Sequence, residues 1–240
     1  MDFAFLYETL LTLLPGIPLT LKLAASAVGL GAVLALGLAL MRVSKIGPLS
    51  AFVKTYVFFF RSTPLLVQIF LIYYGLGQFV GIRQSILWPI LREPYWCAVI
   101  ALTLNTAAYS SEIIRGGLQS VSAGQVEAGL ACGMTRLQLL RRIVLPLALR
   151  QALPAYGSEI ILMIKATALA SIITLLEITG LAAKLISETY RAFEVFVVAA
   201  AIYLLINFVV TRLIQLLEYR LTPHLRPAPH AALVKQGGVA

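Results

Sequence analysis

Three polar side chains, Gln68, Asn105 and Glu159, interrupt apolar segments that are otherwise long enough to cross a membrane as helices. A carboxylate within such a segment costs at least a few kcal/mol unless it faces water or a partner, so it marks a pathway for ions or substrate. The chemistry that these residue types indicate is reversible binding of a polar or cationic solute, with Glu159 as the charged contact.

These three residues are predicted to lie at one depth in the membrane. Each is six positions from the inner end of its predicted helix. Because a helix rises 1.5 Å per residue, all three lie about 9 Å from that end. A polar layer shared by three helices is what a translocation site needs. Tyr109 is a further candidate, because it follows Asn105 by four positions and shares its helix face.

Each candidate also has a structural alternative. Glu159 could form a buried ion pair, most simply with Lys165, although six positions place the two side chains about 120° apart around the helix. Asn105 could serve as a hydrogen bond between helices. Gln68 and Tyr109 could serve in packing or in similar hydrogen bonds.

The composition excludes a soluble protein. Of 240 residues, 60% are hydrophobic and 12% are charged, whereas soluble domains average about 45–50% and about 25%. We therefore predict an all-α protein with several membrane-spanning helices. We attribute the net charge of +9 to basic residues in the loops on one side of the membrane, and not to binding of nucleic acid.

Five membrane-spanning helices are predicted, at residues 23–41, 62–80, 95–111, 153–176 and 195–211. The segment before them, residues 3–21, contains Pro15 and Pro18 and is predicted as a short interfacial helix followed by a bend. Residues 42–61 are predicted as a cytoplasmic loop that includes a surface helix, and residues 177–194 as an outer loop.

Orientation follows from the basic residues. Thirteen of the nineteen Lys and Arg side chains fall on one predicted side, five fall on the other, and Lys165 lies within a span. The positive-inside rule then places the N-terminus outside and the C-terminus inside. We predict one transmembrane domain over residues 1–226, with a long cytoplasmic loop at 112–152, a basic tail from Arg212, and disorder at 227–240.

No cofactor site is indicated by the sequence. No G-x-x-x-x-G-K-[ST] motif is present, so the chain is not predicted to bind ATP through a P-loop. The two histidines lie in the tail. Cys97 and Cys132 are predicted on opposite sides of the membrane, which argues against a disulfide, and their spacing is not that of metal ligands.

Within the cytoplasmic loop, residues 125–146 are predicted to form two short helices. Ser122 and Thr135 are their candidate N-caps, each followed by Gln three positions later. Gly133 is placed where a left-handed residue ends the first helix, and Pro146 is predicted to end the second. This amphipathic hairpin could lie on lipid headgroups or dock on a partner.

The spacing in this hairpin resembles that of permease subunits of ATP-binding-cassette importers, whose loop has the form E-A-A, three residues, G, nine residues, I-x-L-P. The matching residues are Glu127, Ala128, Gly133, Ile143, Leu145 and Pro146, whereas Gly129 replaces the second alanine. The resemblance implies five helices of the type I importer kind. It also implies that the hairpin couples to a separate ATPase dimer, which holds ATP and Mg while this chain binds neither.

Other segments resemble the polar amino-acid branch of that family: 61–65, 104–109, 112–117 and 153–169. In relatives that transport cationic amino acids, the residues matching Asn105 and Glu159 line the substrate pocket, while Ser158 departs from the Asn found there. The resemblance implies a non-enzymatic subunit of the bacterial inner membrane that translocates histidine, arginine, lysine, ornithine or opines. Its implied partners are a second permease subunit, either a copy or a paralogue, and a periplasmic binding protein.

Two alternatives remain at this point. A secondary transporter or channel would need no ATPase, and an internal repeat or a helix broken at mid-membrane would favour it. A membrane scaffold that transports nothing is the other, and the polar layer and the hairpin both count against it.

Overall fold

A computed structural model describes residues 2–44 and 46–221. The predicted disordered tail at 227–240 lies outside the described residues, as do both histidines. Over the described ranges the secondary structure is helical and no strand is formed. The predicted all-α fold class is confirmed.

The helices follow one another with short connections, and π or 3-10 turns extend several of them. They are α1 Phe3–Leu13, a 3-10 turn Leu14–Gly16, α2 Ile17–Val43, α3 Gly47–Ser62, α4 Leu65–Phe70, a π turn Leu71–Gly75, a 3-10 turn Leu76–Gln78, α5 Val80–Arg83, α6 Trp88–Leu91, α7 Pro94–Gln119, α8 Ala123–Ala131, α9 Arg136–Leu139, a π turn Leu140–Val144, α10 Leu145–Ala166, a 3-10 segment Thr167–Ile173, α11 Ile178–Thr189 and α12 Ala192–Leu221.

Helix α7 is the central element and packs against α2, α3, α4 and α10. Its buried face is rich in small residues such as Ala101 and Gly117, which let helix backbones approach closely within a membrane. A methyl group at Gly117 would lie 2.6 Å from the carbonyl oxygen of Ala148 in α10, so this contact requires glycine. The close packing fixes the positions of the two helices that carry Asn105 and Glu159.

Among the described residues, four helical segments are long and apolar enough to cross a membrane: Phe3–Val43, Pro94–Gln119, Arg136–Ile173 and Ala192–Leu221. A fifth crossing is possible if the pair Gly47–Ser62 and Leu65–Gln78 counts as one span, since these two helices meet at an angle of 104°. Four or five spans agree with the five-helix fold predicted from the sequence.

The second predicted span, 62–80, differs from a straight helix. Thr63 has extended backbone angles, φ −101° and ψ 141°, and α4 begins only at Leu65. The reason is Pro64, which disfavours the helical conformation at the preceding residue and offers no N–H. Helix α3 therefore meets the next helix at a sharp bend and does not run into it.

The predicted bend near Pro15 and Pro18 is wrong. Residues Phe3–Val43 form one candidate span, interrupted only by a 3-10 turn. Each proline occupies the first turn of its helical segment, where a missing N–H breaks no hydrogen bond. Thr9 and Leu13 of α1 are buried, so this segment belongs to the core and is not a separate interfacial helix.

The helix ends predicted at Pro146 and Arg212 are also wrong. Pro146 lies in the first turn of α10, directly after the π turn Leu140–Val144, so the helical path continues from Arg136 to Ile173. Helix α12 continues past Arg212 to Leu221.

The predicted outer loop at 177–194 contains a partly buried helix, α11, which packs against α1 and α12. Its N-cap, Glu177, is fully buried. The Glu177 carboxylate accepts hydrogen bonds from the Gly180 N–H at 2.8 Å and from the Tyr203 hydroxyl at 2.7 Å, and the Thr20 hydroxyl lies 3.5 Å away. Because these partners come from three helices, the segment forms a packed junction between them.

Candidate functional site

A cavity of about 260 Å³ lies between α7 and α10, at the level of the predicted polar layer. Its lining contains three of the four predicted binding residues and three apolar side chains: Asn105, Tyr109, Glu159, Leu162, Met163 and Ala166. Gln68 is not part of the lining. The cavity thus combines an apolar wall with one carboxylate, one amide and one phenol, as small-molecule sites generally do.

Glu159 is 7% exposed and accepts a hydrogen bond of 2.8 Å from the hydroxyl of Thr106. Among the described residues, no basic nitrogen lies within 4.0 Å of its carboxylate. The alternative of an ion pair with Lys165 is therefore not formed, and the Lys165 side chain is exposed. A carboxylate oxygen accepts more than one hydrogen bond, so Glu159 keeps unused capacity on the cavity side.

The side chains of Asn105 and Gln68 form hydrogen bonds with each other and with the bend after α3. The Asn105 amide donates to Gln68 Oε1 at 3.0 Å and to the Phe60 carbonyl at 3.3 Å. The Gln68 amide donates to the Phe60 carbonyl at 2.9 Å and to both oxygens of Thr63. Gln68 therefore fixes the bend, whereas Asn105 both fixes the bend and lines the cavity.

The ring of Tyr109 is in contact with a basic side chain. The Arg61 guanidinium lies over the ring with its carbon 5.0 Å from the centroid, within the range of a cation–π contact. The cavity therefore has a negative group in its wall and a positive group beside it.

The predicted hairpin is present as α8 and α9. Gly133 has φ +77°, the left-handed conformation predicted at the end of the first helix. Thr135 forms the predicted capping box, since its hydroxyl accepts from the Gln138 N–H and the Gln138 side chain accepts from the Thr135 N–H. Ser122 precedes α8, but its side chain makes no capping hydrogen bond.

The hairpin presents apolar side chains to its surroundings. Leu130, Leu137 and Leu140 are 49%, 56% and 44% exposed. The motif residues at its outer positions, Glu127 and Ala128, are exposed as well. Gly129, in contrast, is buried, and a methyl group there would lie 2.6 Å from the end of the Leu139 side chain.

A family model described as "Binding-protein-dependent transport system inner membrane component" matches residues 27–223, well over half of the chain. The chain belongs to this family. As a binding-protein-dependent inner membrane component, it is a transport subunit and not an enzyme, and a separate ATPase hydrolyses ATP. The bend at Thr63 lies at the end predicted for the second span and not in its middle, so it does not favour a secondary transporter, and family membership supports the importer interpretation.

Three relatives among the binding-protein-dependent components illustrate the similarity. The octopine transport system permease protein of Rhizobium radiobacter is 61% identical over 225 residues, which cover 94% of this chain and 92% of the relative. The nopaline transport system permease protein of Agrobacterium fabrum is 54% identical over 238 residues, 97% and 99% of the two chains. The histidine/lysine/arginine/ornithine transport system permease protein of Escherichia coli K12 is 39% identical over 214 residues, 89% and 90%.

Solved structures show the same fold. A chain in the crystal structure of an amino acid ABC transporter superposes with a TM-score of 0.81 at 37% identity, covering 92% of this chain and 99% of that one. A chain of the MetNI methionine ABC transporter superposes with a TM-score of 0.63 at 20% identity, covering 95% and 100%. The latter shows the shared fold alone.

Sequence reasoning missed two residues of the site, Thr106 and Arg61. Thr106 is adjacent to Asn105, and its position on α7 gave no sign that it would face Glu159 across the contact with α10. Arg61 was interpreted as a basic residue of the inner loop and as part of the segment 61–65 that resembles the importer family, but not as a residue of the site. Its position three residues before Pro64 was an available signal, because a proline disfavours helical backbone at the preceding residue and so predicts a bend close to Arg61.

Proposed function

We propose that this permease subunit translocates cationic amino acids or opines, and that Glu159 contacts the cationic group of the substrate. The observation that carries the proposal is the Glu159 carboxylate, which is buried in the wall of a cavity. It accepts a hydrogen bond from one hydroxyl group and forms no ion pair with the described residues. A cation that enters the cavity gains a charge-assisted hydrogen bond worth roughly 1.5–3 kcal/mol, about one to two decades in affinity. A neutral solute gains much less.

The relatives support this substrate class by their chemistry. The substrates in their names are octopine, nopaline, arginine, histidine, lysine and ornithine. Each is an amino acid or an amino-acid derivative with a basic or weakly basic group. Within the proposed site, Asn105 offers an amide oxygen to the substrate and Tyr109 offers an aromatic face, while Gln68 acts through the bend that it fixes.

The assembly that we propose contains a second permease subunit, a copy or a paralogue, beside this one. An ATPase dimer that holds ATP and Mg docks on the hairpins, and a periplasmic binding protein delivers substrate to the outer face. Our proposal keeps the predicted orientation, with the N-terminus outside. ATP binding closes the ATPase dimer, moves the hairpins and switches the spans between outward and inward access.

The coupling residues in this proposal are those of the motif. Glu127 and Ala128 lie on the exposed side of α8, where a partner can reach them. Gly133 provides the turn, and Ile143, Leu145 and Pro146 join the hairpin to the start of α10. A Gly133→Val variant should keep membrane insertion and lose substrate-stimulated ATP hydrolysis, because a β-branched residue resists positive φ. Gly124→Val, in the first turn of α8, is the matched control.

The substrate proposal is tested by Glu159→Gln in proteoliposomes that contain the partner subunits and saturating binding protein. L-arginine and its neutral isostere L-citrulline are the two probes. We expect arginine uptake to fall roughly ten- to hundredfold, citrulline uptake to change much less, and basal ATP hydrolysis to persist. Glu188→Gln, an exposed carboxylate on α11, is the control. Unchanged uptake of both probes in Glu159→Gln would show that Glu159 has a structural role.

A further inference from the structure

We propose that Arg61 is the anion-binding half of the substrate site, and that its guanidinium binds the substrate's carboxylate while Glu159 binds its cationic group. This inference rests on the function proposed above, because a zwitterionic amino acid or opine carries both charges. It assigns to Arg61 a role in specificity that the basic residues of a cytoplasmic loop do not ordinarily have.

The first support is the position of the guanidinium. It lies 5.0 Å above the centre of the Tyr109 ring, and Tyr109 shares the cavity lining with Glu159. A guanidinium stacked on a ring keeps the N–H donors at its edge, in the fork that fits a carboxylate. A solute in the cavity would therefore have Glu159 and Arg61 within reach of opposite ends.

The second support is that, among the described residues, the Arg61 guanidinium and the Glu159 carboxylate form no ion pair with each other or with a neighbouring side chain. In the part of the chain that the structure describes, Arg61 has no carboxylate oxygen within 4.0 Å. The other arginines near the inner ends of α2 and α7 already have a partner, since Arg42 and Arg115 both form ion pairs with Glu112. Arg61 is thus a cation with its hydrogen-bonding capacity left available beside the cavity.

The third support is that the backbone on both sides of Arg61 is anchored. The Phe60 carbonyl accepts from the side chains of Gln68 and Asn105. The Thr63 carbonyl and hydroxyl accept from Gln68. A basic residue that only contacts lipid headgroups has no need for such anchoring, whereas a binding residue gains affinity when its position is fixed before the ligand arrives.

The experiment measures equilibrium binding by isothermal titration calorimetry to the complete transporter in nanodiscs, without binding protein. The probes are L-arginine and agmatine, the amine that lacks the carboxylate. We expect Arg61→Gln to weaken arginine binding roughly ten- to hundredfold and to leave agmatine binding unchanged or slightly stronger. Arg61→Lys should restore part of the arginine affinity. Glu159→Gln should weaken both probes.

Two control variants and two lipid compositions complete the design. Lys54→Gln removes an exposed charge two turns earlier on α3, and Lys165→Gln removes the charge nearest Glu159 on α10. Neither should change the ratio of arginine to agmatine affinity. The Arg61 effect should be the same in nanodiscs of neutral and of anionic lipid.

Several results would overturn the inference. An unchanged affinity ratio in Arg61→Gln, a ratio change in Lys165→Gln instead, or an Arg61 effect seen only with anionic lipid would each assign Arg61 another role. Those results leave the proposed function intact. Insensitivity of both probes to Glu159→Gln, or no binding of either probe to the unmutated complex, would overturn the proposed substrate class together with this inference.

Discussion

Glu159 and Glu177 are both buried carboxylates in an apolar chain, and they are held in opposite ways. Glu177 is fully buried, and its carboxylate accepts short hydrogen bonds from Gly180 and Tyr203. Glu159 accepts one hydrogen bond from Thr106 and borders a cavity. A carboxylate whose hydrogen-bonding capacity is filled by the fold stabilises it, whereas one with spare capacity beside a cavity is available to a ligand.

A series of hydrogen bonds that ends at the Glu177 carboxylate explains how this group is buried without a cationic partner. Since Tyr203 donates to Glu177, the hydroxyl of Thr179 supplies the proton in its 3.1 Å contact with Tyr203. Burial raises the pKa of Glu177 above its ordinary value of 4.5, and the hydrogen bonds from Tyr203, Gly180 and Thr20 offset part of that rise. Glu177 therefore joins α2, α11 and α12 through uncharged donors.

The largest effect should come from Glu177→Leu. It leaves the Gly180 N–H without an acceptor, at a cost of roughly 1–3 kcal/mol, and removes the stronger partner of the Tyr203 hydroxyl, which keeps only its contact with Thr179. We expect the detergent-solubilised subunit to lose several degrees of thermal stability, measured by the melting of its tryptophan fluorescence. Glu159→Leu should cost clearly less by the same measurement. Equal losses in the two variants would remove the distinction between the two carboxylates.

Thr106→Val should have the next largest effect, and on transport. It removes the single hydroxyl that orients Glu159, so we expect arginine uptake to fall about tenfold while thermal stability changes little. Thr103→Val is the matched control, because the Thr103 hydroxyl is also buried on α7 and has no hydrogen-bond partner within residues 2–44 and 46–221. If both variants transport arginine at the unmutated rate, the Thr106 contact does not position Glu159.

Gly31→Ala should have a smaller effect of the same kind. A methyl group at Gly31 in α2 would overlap the methyl group of Thr106, so Thr106 must turn and its hydroxyl must leave Glu159. We expect arginine uptake to fall about threefold, within the range for partial loss of one hydrogen bond. Gly29→Ala, which points into open space on the same helix, should transport normally. A reduction in both variants would indicate general damage to α2.

The smallest effect should be a dependence of stability on pH. Because the pKa of Glu177 is raised in the folded protein, the proton-linked part of its contribution to stability is fully present below 4.5 and is lost as pH rises through the raised value, while its hydrogen bonds remain. The effect is weak because the hydrogen bonds offset part of the burial. We expect the melting temperature of the unmutated subunit, relative to Glu177→Gln, to fall as pH rises above 4.5. A constant difference across that range would contradict the assignment.

Much of the geometry of the candidate site was predictable from the sequence, and less of its surroundings was. The rise per residue along a helix was enough to place Gln68, Asn105 and Glu159 at one level, and the structure connects the first two by a hydrogen bond. Rotation about the helix axis was not predictable in the same way. For that reason Gln68 points at the bend and not into the cavity, and Thr106, next to Asn105, is the residue that reaches Glu159.

Prolines and charged residues explain the errors in the fold. Pro15, Pro18 and Pro146 lie in first helical turns, where they do not end a helix, while Pro64 does turn the chain. Glu177 was assigned to an outer loop because a charged residue after an apolar run ordinarily marks its end. Its partners, Thr20 and Tyr203, are far away in sequence, and single-sequence reasoning cannot find them.

The exposed leucines of the hairpin, Leu130, Leu137 and Leu140, have a consequence for the cell under the proposed docking. Until an ATPase covers them, the subunit offers apolar side chains of the kind that chaperones and proteases recognise on incomplete proteins. Synthesis of permease in excess of ATPase would then lead to its degradation, not to idle transporters. The ratio of the two gene products would set the amount of permease that survives, so the hairpin would also work as a quality-control signal for complete assembly.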